Sequence, residues 1–265
     1  MRLIPHRPFD SNTICGAAGV IGLLCLAEAA GRLGVISTAQ MPLASAILAT
    51  AAGLVTDLDF LADVLATAGG WALGLLAATA LAVPAGLLLG SVPAIESSLR
   101  PLIEFLRPIP SVALIPLAAF VFTDRLEMKV AMIVYASAWP ILLNTIYGLQ
   151  DVDPVAKETL RAFGFGPLAV LWRISLPSTA PFIATGIRVA AAIALILAVS
   201  TELLTGGSRG IGHFILLAES SPDGLTLTLA ATVWAGGLGL LTNGLLVLIS
   251  RHVFRWHTTI TEATG

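Results

Sequence analysis

The sequence contains few charged residues. Lysine, arginine, aspartate and glutamate together make up 11% of its 265 residues, and the net charge is −2. Soluble domains usually contain about a quarter charged residues. The chain therefore has too little polar surface to cover itself in water, and a membrane protein is the first interpretation. The slightly acidic balance excludes a nucleic-acid-binding protein, which needs a basic surface.

The residues that usually carry chemistry are also scarce. The two cysteines, Cys15 and Cys25, fall in one apolar run, which is typical of helix cysteines rather than of a disulfide or metal site. The four histidines lie near chain ends or in loops, so no pair is placed to hold a haem inside the bilayer. The two lysines, Lys129 and Lys157, follow Met and Ala rather than the glycine of a P-loop. The sequence therefore predicts no metal site and no catalytic site, and any ATP must be hydrolysed by another chain.

What the sequence has in abundance is long apolar stretches. Hydrophobic residues make up 57% of it, and the mean hydropathy is +0.93. A helix needs about 20 apolar residues to cross the hydrocarbon core. The stretches are too long and too rich in Ala and Leu for membrane strands, which alternate every second residue. We therefore predict an all-α integral membrane protein with six transmembrane helices, at residues 13–35, 67–92, 102–123, 126–149, 179–204 and 225–250.

The distribution of Lys and Arg predicts the orientation of these helices. Loops on the cytoplasmic side carry an excess of basic residues. With both termini in the cytoplasm, eight basic residues lie inside and four outside. The tails 1–12 and 251–265 are then cytoplasmic. The inside set is Arg2, Arg7, Arg100, Lys157, Arg161, Arg173, Arg251 and Arg255, and the outside set is Arg32, Arg125, Lys129 and Arg209.

The segment 36–66 fits an outer position, because it has no Lys or Arg but has three aspartates. The spacing of Leu58, Leu61 and Leu65 predicts an amphipathic helix lying on the outer surface. The remaining residues, 67–250, form the predicted five-helix core.

Residues 151–177 form the longest cytoplasmic loop of this arrangement. Asp153 and Pro154 are typical of a helix start, and a short helix is predicted up to about Phe163. Gly164 can end that helix in a left-handed conformation, and Pro167 begins a second short helix. The charged residues Lys157, Glu158 and Arg161 share one face of the first helix.

Two interpretations of this loop follow from physical chemistry alone. One is an ordinary interfacial loop anchored by Trp172 and Arg173. The other is a projecting helical elbow that a partner protein binds.

The loop also resembles the signature of binding-protein-dependent ABC importer permeases. That signature has Glu-Ala-Ala, three residues, Gly, and about nine residues to Ile-x-Leu-Pro. Here Glu158 and Gly164 keep the spacing and "ISLP" ends the motif, whereas Thr159 and Leu160 replace the two alanines. The resemblance implies a coupling helix between the fourth and fifth spans that contacts an ATPase. The implied ATPase-coupling residues are Lys157, Glu158, Thr159, Leu160, Arg161, Phe163, Gly164, Phe165 and Gly166, with Ile174, Leu176 and Pro177 leading into the fifth span.

The resemblance extends over roughly residues 45–255. Residues 82–120, 176–190 ("LPSTAPFIATGIRVA") and 201–215 ("TELLTGGSRGIGHFI") look like the sulfonate, taurine and nitrate branch of these permeases. It implies a type I importer fold and a bacterial inner-membrane location. It also implies a second permease subunit as partner, with a homodimer as the default, two cytoplasmic ATPases that bind ATP and Mg²⁺, and an extracytoplasmic solute-binding protein.

Polar residues inside the predicted spans are candidates for the transport pathway or its gate. These are Arg188, Ser200, Thr201 and Glu202 in the fifth span. Arg188 is placed to contact an anionic solute, to reach the cytoplasmic interface, or to pair with an acid. Glu202 is placed for an outer gate or for a structural hydrogen bond, and Asn243 for a hydrogen bond between helices.

The predicted function is therefore that of the permease subunit of an ATP-driven importer for a small anion. The alternative is an ion-coupled secondary transporter. That class often has an internal repeat and acidic residues at the middle of the membrane. Neither feature is evident here.

Overall fold

The computed structural model describes residues 11–37, 41–207 and 209–253, and those residues form helices joined by short connections. Most of the two predicted tails, residues 1–10 and 254–265, lies outside these ranges. The helices are α1 (Ser11–Arg32), α2 (Ala44–Gly53), α3 (Leu58–Ser91), α4 (Pro93–Leu106), α5 (Ile115–Val121), α6 (Arg125–Gln150), α7 (Pro154–Ala162), α8 (Pro167–Val170), α9 (Leu176–Thr205), α10 (Ile211–Ala218) and α11 (Gly224–Val253).

Helices α3, α6 and α9 form the centre of the bundle, and small residues on α3 allow α6 to approach closely. Gly74 lies against Ile133, where an added Cβ would meet the side chain at 2.6 Å. Gly86 lies against Thr145, with a corresponding distance of 2.7 Å. The buried positions of α3 recur about every fourth residue, which places them on one helix face. These glycines therefore contact another helix of the same chain.

Contacts between α3 and α6 show that the two helices run in the same direction. Gly70, near the start of α3, lies next to Lys129 at the start of α6, and Gly90 lies next to Leu149 at its end. Helix α9 returns antiparallel, because Glu202 near its end contacts Lys129. We call the end of the bundle that carries residues 151–175 the loop end, and the end that carries Lys129 and Glu202 the opposite end.

The third predicted span, 102–123, is not one straight helix. The chain forms α4, a break at Arg107–Pro110, a short 3₁₀ turn at Ser111–Leu114 and then α5, with a bend of 77°. Pro108 and Pro110 lack the backbone N–H of a helix interior and disfavour helical geometry in the residues before them. The hydroxyl of Tyr135 donates to the Leu106 carbonyl at 3.0 Å, which attaches this break to α6.

The predicted starts of the second and fifth spans also differ from those in the structure. Helix α3 begins at Leu58, where the Asp57 carboxylate accepts hydrogen bonds from Asp59 N and Phe60 N. Leu58, Leu61 and Leu65 therefore belong to the first turns of the second span rather than to a separate surface helix. The cap at Asp57 places the helix start there, and buried Phe60 packs this part of α3 into the bundle.

The fifth span is longer than predicted. Its helical path starts at Pro167 and continues through a π turn at Leu171–Ser175 into α9. Pro177 is tolerated without a break because it lies in the first turn of α9, directly after the wider π turn.

A hydrophobic cluster packs α2, α10 and α11 around the start of α3. Phe60 contacts the rings of Phe214 and Trp234 at 4.7 Å and 5.6 Å between centroids. The Trp234 indole donates to the Ala51 carbonyl at 2.9 Å. Among the described residues, five helices are long and apolar enough to cross a membrane, or six if α4 and α5 form one bent span.

Candidate functional site

The first half of the loop between α6 and α9 folds as its sequence predicts, whereas the predicted second short helix is continuous with the fifth span. The Asp153 carboxylate accepts a hydrogen bond from Val155 N at 2.8 Å, and Pro154 occupies the first turn of α7. Helix α7 ends at Ala162, and Gly164 has a φ of +83° with no other group near its Cβ position. A left-handed glycine therefore redirects the chain from α7 to α8.

Lys157 has a different environment from the charged residues predicted to share its face. Its ammonium group donates to the Leu149 carbonyl at 3.0 Å and attaches α7 to the end of α6. Burial lowers the pKa of Lys157, and the positive charge of Arg161 lowers it further. Glu158 and Arg161 remain exposed.

The loop exposes large apolar side chains next to these charges. Phe163 is 77% exposed and Trp172 is 64% exposed. Arg173 lies over the Phe165 ring, 4.6 Å from its centroid, which joins the two halves of the loop. Ile174 and Leu176 are half-buried, whereas Pro177 is exposed. We call the exposed apolar set the loop surface: Val155, Phe163, Leu168 and Trp172.

The remaining predicted coupling residues lie around that surface. Thr159 donates its hydroxyl hydrogen to the Val155 carbonyl at 2.8 Å, which occupies its polar group within α7. Leu160 is half-buried, and Gly166 is exposed at the start of α8. The replacement of two alanines by Thr159 and Leu160 is therefore accommodated within the helix.

A buried ion pair lies at the opposite end of the bundle. The Lys129 ammonium group is 2.7 Å from a Glu202 carboxylate oxygen, and the Glu202 side chain is 1% exposed. The second carboxylate oxygen accepts hydrogen bonds from the Thr67 hydroxyl at 2.8 Å and from Gly212 N at 3.0 Å. Glu202 thus has hydrogen-bond partners on α3, α6 and α10, which satisfies its buried charge.

The same network holds the chain between α9 and α10. Gly210 N donates to Asp63 at 3.0 Å, and Ile211 N donates to the Thr67 hydroxyl at 2.8 Å. Gly210 has a φ of +142°, and a Cβ there would collide with the Glu202 carboxylate. The network therefore requires glycine at this position and fixes α10 against the opposite end of the bundle.

Arg188 lies in a groove between α9 and α11. Its Nε donates to the Asn243 side-chain oxygen at 2.8 Å. The groove has a volume of about 620 Å³. Ser200 lines the same groove about three turns further along α9.

The four predicted pathway residues do not form one site. Arg188 and Ser200 line the groove, whereas Glu202 enters the buried network and Thr201 donates its hydroxyl hydrogen to the Leu197 carbonyl at 2.8 Å. Arg188 pairs with an amide rather than an acid, and the prediction of an interhelical hydrogen bond for Asn243 is confirmed.

The sequence alone does not indicate the role of Lys129, which the distribution of basic residues places in an outside loop. It is buried at the start of α6 and pairs with a residue 73 positions away. A lysine followed directly by the apolar run "VAMIV" is the signal that could have indicated a buried partner. Within the described ranges, no three His, Cys, Asp or Glu residues come together as a metal site would require.

Comparisons with known sequences agree on one family. The family model described as "Binding-protein-dependent transport system inner membrane component" matches residues 82–255. The nitrate import permease protein NrtB of Leptolyngbya laminosa is 31% identical over 182 residues, which cover 69% of this chain and 64% of that protein. The putative aliphatic sulfonates transport permease protein SsuC of Bacillus subtilis is 27% identical over 237 residues, 89% of this chain and 85% of that protein.

Comparison with solved structures identifies the same architecture. A chain of the methionine ABC transporter MetNI, in an inward-facing conformation, aligns with a TM-score of 0.63. The alignment covers 74% of this chain and 96% of that chain at 16% identity. The fold is therefore that of a type I ABC importer permease.

Proposed function

Because the chain belongs to the family of binding-protein-dependent transport system inner membrane components, we propose that it is the permease subunit of an ATP-driven importer. In this role the chain is a translocation subunit and not an enzyme. ATP and Mg²⁺ are bound by a separate ATPase. The permease alternates between inward-facing and outward-facing arrangements through rigid-body movements of its packed helices.

The loop surface is the observation that carries this proposal. It presents exposed apolar side chains beside Glu158 and Arg161, beyond the ends of α6 and α9. Apolar side chains at the centre of a patch with charges at its rim are typical of protein interfaces. We assign this surface to the contact with the ATPase and α7 to the coupling helix.

The remaining assembly follows from that contact. The loop end faces the cytoplasm, in agreement with its basic residues, and α11 also ends there. The opposite end, where α10 is fixed by the buried network, faces an extracytoplasmic solute-binding protein. Two permease chains, with a homodimer as the default, and two ATPases complete the importer in the bacterial inner membrane.

A small oxyanion is the proposed solute. NrtB is named as a nitrate permease and SsuC as a putative aliphatic sulfonate permease, and both ligand classes carry a negative charge on oxygen. Nitrate, taurine and ethanesulfonate are therefore the first solutes to test.

The proposal is tested by reconstituting the chain in vesicles with its ATPase and binding protein. Uptake of labelled nitrate, taurine and ethanesulfonate is measured with and without ATP on the side of the membrane where the ATPase is bound. We expect uptake of at least one solute that requires both ATP and the binding protein. Uptake that instead follows an imposed ion gradient without ATP would identify a secondary transporter and overturn the proposal.

A further inference from the structure

Arg188 occupies the face of α9 that points away from the bundle centre. Ala190, Ala194 and Ala198 on the same helix are fully buried, whereas Arg188 and Val189 are exposed. The exposed face borders the groove between α9 and α11. The groove is lined mainly by Ala, Gly, Leu, Ile and Thr residues. Arg188 is its one charged residue among the described positions.

Arg188 lies well along α9 rather than at either of its ends. It lies about 18 Å along the helix from Leu176, at 1.5 Å per residue. The hydrocarbon core is about 30 Å thick, so with the start of α9 at the cytoplasmic surface this position falls inside the membrane. A guanidinium group facing lipid at this depth costs several kcal/mol. The groove must therefore be covered by protein or filled with water when the chain is in a bilayer.

The geometry leaves much of the guanidinium group available to bind a ligand. The Nε atom donates to Asn243, which fixes the plane of the group. The two terminal nitrogens have no hydrogen bond or ion pair with any described residue. No carboxylate of the described residues lines the groove to neutralise the charge. Paired guanidinium donors match two oxygens of a nitrate or sulfonate group.

We infer that Arg188, held in position by Asn243, binds the transported oxyanion inside the membrane as the anion passes through the groove. This inference rests on the proposed function and adds that the permease itself selects for negative charge. The hydroxyl group of Ser200 lines the groove further along the same helix, toward the opposite end. It supplies a neutral polar contact for the anion on its way to or from Arg188.

The test uses the complete importer in vesicles and compares Arg188→Gln with Arg188→Lys. Arg188→Gln removes the charge at similar length, and we expect uptake of nitrate and ethanesulfonate to fall about tenfold or more, the effect of losing a hydrogen bond to a charged group. Arg188→Lys keeps the charge and should retain more uptake than Arg188→Gln. ATP turnover is measured in the same vesicles, so that uptake is compared only between variants that assemble with the ATPase.

Asn243→Asp provides a second test that does not remove a side chain. The new carboxylate pairs with Arg188 and neutralises it, so uptake should fall as in Arg188→Gln while the helix contact is kept. Arg32→Gln is the matched control, because it removes an exposed arginine on α1 that does not line the groove.

The outcomes separate the two proposals. Absence of ATP-dependent uptake of every probe by the unaltered importer overturns the proposed function and this inference with it. Unaltered uptake in both Arg188→Gln and Asn243→Asp, with an active wild-type importer, overturns the inference alone. If Arg188→Gln does not assemble, undiminished uptake by Asn243→Asp is sufficient to reject the inference.

Discussion

Gly164 is a single residue on which the orientation of the two halves of the loop depends. A φ of +83° is unfavourable by about 1–2 kcal/mol for a residue that has a Cβ, and by more for a β-branched residue. The space around its Cβ position is empty, so the cost of a substitution comes from the backbone alone.

We therefore predict that Gly164→Val reduces solute-stimulated ATP turnover or assembly with the ATPase, with the membrane helices intact. Gly166→Ala is the control, because Gly166 has a φ of −71° and no atom near its Cβ position. Stimulated turnover is measured in reconstituted vesicles, and helix content is measured by circular dichroism. Normal stimulation in Gly164→Val would argue against a coupling role for α7.

The ion pair between Lys129 and Glu202 is the second feature that depends on individual residues. Removing one partner of a buried pair leaves an uncompensated charge and costs about 3–5 kcal/mol. Lys129→Met should therefore strongly lower the thermal stability of the purified protein. Arg125→Gln, which removes an exposed charge one turn earlier on α6, should have little effect.

A double variant distinguishes the charge from the packing. Lys129→Met combined with Glu202→Gln removes both charges, and we expect it to recover a substantial part of the stability lost by Lys129→Met alone. Equal stability losses in the single and double variants would show that the pair contributes through packing rather than through charge.

At the level of helices, the contact between α3 and α6 depends on small residues. Gly86→Val would place a Cβ 2.7 Å from the Thr145 Cβ and 3.0 Å from the Leu142 carbonyl oxygen. Overpacking of this kind costs about 1–3 kcal/mol, and a backbone carbonyl cannot move aside as a side chain can.

We predict that Gly86→Val lowers the melting temperature of the purified protein, whereas Gly69→Val does not. Gly69 lies on the same helix with no atom within 4 Å of its Cβ position. Differential scanning fluorimetry in detergent provides the measurement. A similar melting temperature for both variants would mean that α3 and α6 do not pack as described.

The sequence predicted the helices better than it predicted their contacts. The apolar stretches, the Asp153 cap and the Gly164 turn depend on neighbouring residues, and they are visible in any local window. The break at Arg107–Pro110 was missed because the apolar run continues through the prolines. The Lys129 and Asn243 contacts join residues far apart in sequence, so only the packed structure identifies their partners.

For the whole molecule, the directions of α3 and α6 determine the number of crossings. Helix α3 ends at the loop end, whereas α6 begins at the opposite end, next to Gly70. The segment between them therefore has to pass from one end to the other, and α4 and α5 together form a crossing despite their bend of 77°. From this arrangement we predict six crossings rather than five.

Cysteine labelling tests this count. In a background with Cys15 and Cys25 replaced by Ala, we predict that Ser97→Cys and Thr123→Cys react with an impermeant maleimide from opposite sides of the membrane. Gly166→Cys should label from the same side as Ser97→Cys, and Ser220→Cys from the same side as Thr123→Cys. All four positions are exposed. Labelling of Ser97→Cys and Thr123→Cys from one side would make the bent pair a re-entrant loop.

Helix α9 links the loop to the buried network, because this one helix of 30 residues extends from the loop to Glu202 and carries Arg188 between them. Such a helix is about 45 Å long and can move as one rigid unit. If this rigid helix pivots near its middle, the passage beside it narrows at one end of the bundle and widens at the other. In the proposed importer, such a pivot would prevent the passage from opening at both ends at once, and the membrane would keep its ion gradients during transport.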